Sequence, residues 1–302
     1  MFDFLCNYFG QYNQRTFITF AHIEIFNNRT QFVSLQQKCS EFAVMIKSEN
    51  EEIYFNRIVK DLLKGTVNEV FYNQQMKFGK YRSSLINHMQ KLEHSVKTKV
   101  INVASKSGWT FLMHACNESY DDISRFLIKE KACIDAVSSD GQSALKIACN
   151  KVQPKIVHLL LRNGANPNAC FVDRWTLLTD ACFRGNITIV ELLLTAGAKV
   201  NLANENGDTP LTSSVVFGHL DVMKLLAEKG ATLNISDSYG VNPMTAACFY
   251  GHIKLVDFLI SKGVDINEAD AARWTPLMYA SLINDEKIIE LLIAKGANKS
   301  HL

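Results

Sequence analysis

The sequence lacks an apolar run approaching the roughly 18 residues that a helical membrane span needs. It also lacks a charge surplus, with 32 Lys and Arg against 30 Asp and Glu. The first absence excludes insertion into a bilayer as a helix. The second leaves no global field that would draw the chain to nucleic acid, so neither nucleic acid nor membrane is an expected partner. Eight cysteines are present, but no two stand in a Cys-x-x-Cys pair. That usage points to a reducing, intracellular setting, the cytoplasm with the nucleus as the alternative. The opening MFDFLCNYFG has no basic stretch ahead of its apolar residues, so a secretory leader is not expected. His-Glu-x-x-His, Gly-x-Ser-x-Gly and phosphate-loop patterns are missing too. Neither a catalytic residue, a cofactor nor a metal site is therefore expected, and the chain reads as a non-enzyme.

What the sequence does hold is a repeat. The stretch DRWTLLTDACFRGN from Asp173 returns in altered form at a step of 33 residues, with anchors at Gly108, Gly141, Arg174, Gly207, Gly240 and Arg273. Two residues after each anchor comes a helix N-cap type: Thr110, Ser143, Thr176, Thr209, Asn242 and Thr275. Pro210, Pro243 and Pro276 follow at the first helical position, where a missing N–H costs nothing. Leu112, Leu145, Leu178, Leu211, Met244 and Leu277 then mark the apolar face of a short helix. A second stripe pairs Ile123, Ile156, Ile189, Val222, Leu255 and Ile288 with a leucine four residues later, predicting a second helix. Gly164, Gly197, Gly230, Gly263 and Gly296 close that helix, and Lys131 breaks the pattern in the first copy. One such helix pair cannot bury its own apolar face, so neighbouring copies must bury it.

Period, helix pair and the Gly-x-Thr-Pro-Leu run at Gly207–Leu211 resemble the ankyrin repeat over about residues 101 to 302. The resemblance implies an all-α fold, an ankyrin-repeat solenoid of six copies with projecting finger turns. It implies binding of a partner protein or peptide, as an adaptor or scaffold. It places the two residues before each inter-helix glycine on an exposed concave face. Those columns read Asn117/Glu118, Asn150/Lys151, Phe183/Arg184, Val216/Phe217, Phe249/Tyr250 and Leu282/Ile283, turning from polar to apolar after the second copy. The expected partner-binding residues are Phe183, Arg184, Phe217, Phe249, Tyr250 and Ile283 in the groove, with Trp175, Tyr239 and Trp274 on the fingers. Trp109 shares the tryptophan column, for which a framework role is equally expected.

Cys182 shares its column with Cys116, Cys149, Val215, Cys248 and Ser281, which marks a small packed position rather than a nucleophile. Residues 1–100 keep no 33-residue register and hold thirteen Lys and Arg against nine Asp and Glu. Helices are expected there from Val33 to Ile46, after Asn50 to Gly65, and from about Ser83 to Lys97 along a Leu85, Met89, Leu92, Val96 seam. The expected division is thus a helical region 1–100, a cap or docking module, and repeats over 101–302. The alternative function is a substrate receptor of a larger assembly such as a ubiquitin ligase, docked through those N-terminal helices, although no F-box or SOCS-box sequence is recognisable. Oligomeric state is not legible.

Overall fold

The computed structural model describes residues 94–299 except 106, 172–173 and 239, together with 86 and 89–91. Tyr239 and the helices expected over 33–46 and 50–65 lie outside the described residues. Those described belong to one compact unit, Val59–Leu302.

Among the described residues helix α1 (His94–Ile101) is followed by six pairs. These are α2 (Phe111–Asn117) with α3 (Asp121–Lys129), α4 (Ala144–Asn150) with α5 (Pro154–Arg162), and α6 (Leu177–Phe183) with α7 (Ile187–Thr195). The last three are α8 (Pro210–Val216) with α9 (Leu220–Glu228), α10 (Pro243–Phe249) with α11 (Ile253–Ser261), and α12 (Pro276–Leu282) with α13 (Glu286–Ala294). Among the described residues no strand forms; only isolated bridges join Ala104 to Thr110 and Cys170 to Thr176. Each pair packs on the next, giving a helical solenoid.

The first helix of every pair starts at the expected cap, whose side chain accepts from the N–H three residues on. In the fourth and fifth repeats the third helical residue is threonine, and Thr212 and Thr245 return a bond to the cap's own N–H at 2.8 and 3.1 Å. Two orphan donors are thereby satisfied at once. The paired core columns are buried throughout: Leu127, Leu160, Leu193, Leu226, Leu259 and Leu292 are each at most 1% exposed. Burying one such leucine stabilises by about 1.5–3 kcal/mol.

Polar side chains bind one repeat to the next. Asn102, Asp135, Asn168, Asn201 and Asn267 each accept a backbone N–H 31 residues on, from Cys133, Asn166, Lys199, Thr232 and Asn298 at 2.7–3.1 Å. The ladder begins at Asn102, ahead of the first anchor. Helix α1 ends one residue earlier, with Val100 and Ile101 buried and Lys97 3.3 Å from Glu130 of the first repeat. It runs four residues beyond the seam-based expectation of Lys97, because Val100 and Ile101 carry the apolar contact onward.

Candidate functional site

The second residue of each concave pair caps the first helix of its repeat: Glu118, Lys151, Arg184, Phe217, Tyr250 and Ile283. The next residue has positive φ in all six, being Ser119, Val152, Gly185, Gly218, Gly251 and Asn284. The chain turns there into the second helix, so these side chains collect along one edge of the solenoid.

Aromatic rings join across that edge. Phe183 meets Phe217 of the following repeat edge to face, with centroids 4.9 Å apart, and Trp175 packs on Phe183 at 6.1 Å. Farther along, Phe249 touches Tyr250 at 5.1 Å and Tyr279 at 5.8 Å, and Trp274 lies 5.3 Å from Tyr279. Tyr279 itself is buried and donates its hydroxyl to Asp270 at 2.5 Å. Hence three of the expected residues, Trp175, Phe183 and Phe217, form one ring cluster, while Phe249 and Trp274 flank Tyr279 and Tyr250 joins them through Phe249. Phe217 is 52% exposed and Ile283 37%, while Trp175, Phe183, Phe249, Tyr250 and Trp274 are half-buried. Each tryptophan lies against an aromatic ring of its own repeat, Trp109 at 5.0 Å from His114. Burial, then the nearby Asp208 carboxylate, holds the Tyr250 hydroxyl above its ordinary range.

The early edge is different. Asn117 donates to Glu118 at 2.9 Å, closing that polar pair on itself. Asn150 and Lys151 are exposed. Arg184 is tied to Asp180 at 2.9 Å, one helical turn back as its spacing predicts.

Two features were not among the expected site residues. In most repeats a small polar side chain closes the finger by accepting the N–H four residues on, as Ser105, Ser138, Asn204, Asp237 and Asp270 do. The third finger has Phe171 instead, and its ring takes the Lys146 ammonium 3.8 Å from its centroid. Desolvation lowers the Lys146 pKa, against the opposing pull of Asp180 and Asp140. Val152 is the second feature. It is a β-branched residue at φ +54°, 49% exposed, where the other copies have Ser, Gly or Asn. Its column, read down the repeats, carries the signal.

The shared cysteine column is interior. Cys116, Cys182 and Cys248 are inaccessible and Cys149 nearly so. Burial pushes the Cys116 and Cys248 thiols up to about 12 and raises those of Cys149 and Cys182 as well. At neutral pH these groups are thiols, and a thiol is a poor nucleophile beside a thiolate. Among the described residues no group of three His, Cys, Asp or Glu is placed to hold a metal, and no helix is long and apolar enough to cross a membrane.

The family model described as Ankyrin repeats (3 copies) matches this chain at residues 53–170, 153–237 and 232–301. Together the matches span nearly all of the sequence from residue 53. The first takes in the stretch before Ile101, where the 33-residue register is not apparent. No curated protein matches the chain.

Proposed function

The chain belongs to the ankyrin-repeat family, whose members generally mediate protein–protein contacts, and from that premise we propose that it is an adaptor or scaffold holding a partner protein along the edge built by its later repeats. The observation that carries this reading is the ring contact between Phe183 and Phe217 on successive repeats, with Phe217 left 52% exposed. Large apolar side chains brought together at a surface and left uncovered usually mark a contact site. Phe249, Tyr250, Trp274 and Ile283 extend the same edge, and Tyr239 belongs to the finger turns in this proposal. Aromatic and arginine anchors dominate binding energy when a partner covers them. An interface of ordinary size takes about 800 Å² from each side, which several adjacent repeats supply.

Proximity labelling in cells, followed by titration of a purified candidate, tests the reading. Phe217→Ala, Phe249→Ala and Tyr250→Ala are each expected to weaken binding by about 30-fold, the equivalent of 2 kcal/mol. Asn117→Ala and Asn150→Ala are expected to change it little. Loss of binding in the asparagine variants, with the aromatic variants intact, moves recognition to the early repeats or to residues 1–100.

A further inference from the structure

Among the described residues six large apolar side chains are exposed, and five of them lie on the inter-helix edge: Val152, Ile187, Phe217, Leu282 and Ile283. Val152 and Phe217 lie in the inter-helix loops of the second and fourth repeats, and Ile187 opens the second helix of the third. Val152 is the odd member. Left-handed backbone disfavours a β-branched side chain, and a residue kept in such a conformation at a surface directs attention to function. The rim beside these three is basic. The side chains of Lys151 and Lys155 are exposed and have no hydrogen-bond or ion-pair partner among the described residues, and Arg184 stands one repeat on. The only acid in the first helix or inter-helix loop of the second or third repeat is Asp180, already tied to Arg184. The first repeat presents the opposite sign at the same edge, with Glu118, Asp121 and Asp122.

Resting on the protein-binding reading above, we infer that the edge of repeats two to four docks a partner segment in which large apolar side chains are flanked by carboxylates. Successive apolar side chains of the segment cover Val152, Ile187 and Phe217; the carboxylates face Lys151 and Lys155. Charge complementarity of this kind selects the partner and speeds encounter. The acidic edge of the first repeat sets the direction in which the segment lies, since its acidic end is repelled there.

The test selects random linear peptides displayed on phage against the full chain, then measures chosen synthetic peptides by fluorescence polarisation on the parent and on variants. Enrichment of Asp or Glu beside Leu, Phe or Trp is expected. Lys151→Glu with Lys155→Glu should weaken those peptides at least about tenfold, whereas Lys151→Arg with Lys155→Arg should retain binding. Val152→Gly should weaken them while leaving the fold as stable or more so, which separates lost contact from lost structure. Peptides that depend on Phe217 but show no acidic preference overturn the inference and leave the aromatic-edge reading standing. Peptides indifferent to both Phe217 and the lysines overturn both. Failure to enrich any peptide, or lysine-dependent capture by phosphatidylserine vesicles in place of peptides, also overturns the inference.

Discussion

His219 of the fourth repeat places its Nε2 3.1 Å from the carbonyl oxygen of Phe183 in the third, and its ring occupies the space where a side chain at Gly185 would start. A Cβ at Gly185 would lie 2.4 Å from the ring, at a backbone φ of +70°. His252 repeats the arrangement with Val216 at 3.1 Å. The histidine thus fixes the carbonyl next to the aromatic edge as well as joining two repeats.

His219→Ala is expected to destabilise by about 1 kcal/mol through the lost hydrogen bond. Gly185→Ala should destabilise more, because left-handed strain of about 1–2 kcal/mol adds to the clash. In the double variant the clash is gone, so the two effects should sum to more than the measured loss. Urea denaturation of the four proteins checks this; strict additivity would mean the ring and the glycine do not meet.

Val152→Gly should raise stability by about 1 kcal/mol, since it removes a β-branched side chain from a left-handed position. Lys131→Gly, at φ +69° in a column otherwise filled by glycine, should act in the same direction. A shift of the urea midpoint upward at unchanged slope is the expected readout. A drop in either midpoint refutes the strain assignment.

Stability should fall as the pH rises above about 8.5, the ordinary thiol range. Burial keeps Cys116, Cys149, Cys182 and Cys248 protonated in the folded chain to higher pH than in the unfolded one, so the unfolded state loses protons first. By linkage the free energy of unfolding then declines with pH, and it is complete below that range. Tyr250 adds the same sign nearer pH 10, a range about that of free tyrosine. Denaturant midpoints between about pH 7.5 and pH 10 measure the slope. A flat profile, or native alkylation of Cys182 as fast as that of exposed Cys133 and Cys170, contradicts the interior placement.

Phe217→Ala should alter stability by about 1 kcal/mol or less, since half the ring is exposed and what is lost is an edge contact with Phe183 and a looser, tilted one with His219. Leu226→Ala, in the closed core of the same repeat, should destabilise by about 2–5 kcal/mol. Thermal melts of the two variants distinguish a surface offered for binding from one consumed by folding. A larger loss at Phe217 would assign the ring to the core.

Removing residues 1–100 is expected to leave a cooperative helical fold, because each later repeat carries its own caps and core leucines. It also deletes Met89 and Val100, both buried. A fragment beginning at residue 86 should therefore melt higher than one beginning at 102, as followed by circular dichroism. Equal melting temperatures would show that α1 contributes no packing.

Repetition made the architecture legible before any coordinates. The caps at Thr209 and Asn242, the leucines from Leu127 to Leu292 and the small column at Cys182 follow from local rules restated every 33 residues, so each copy corroborates the others. A helix needs its cap and apolar stripe within a few residues, and both lie within one copy. The pairings between copies were decided only in three dimensions. Asn201 reaches the N–H of Thr232, His219 the carbonyl of Phe183, and Lys146 the ring of Phe171. These depend on how far one repeat is rotated and shifted against the next, which side-chain volumes set collectively. For the same reason the aromatic columns were visible in the sequence, while the sharing of their surface was not: packing half-buries Phe183 and Phe249 and leaves Phe217 and Val152 facing water.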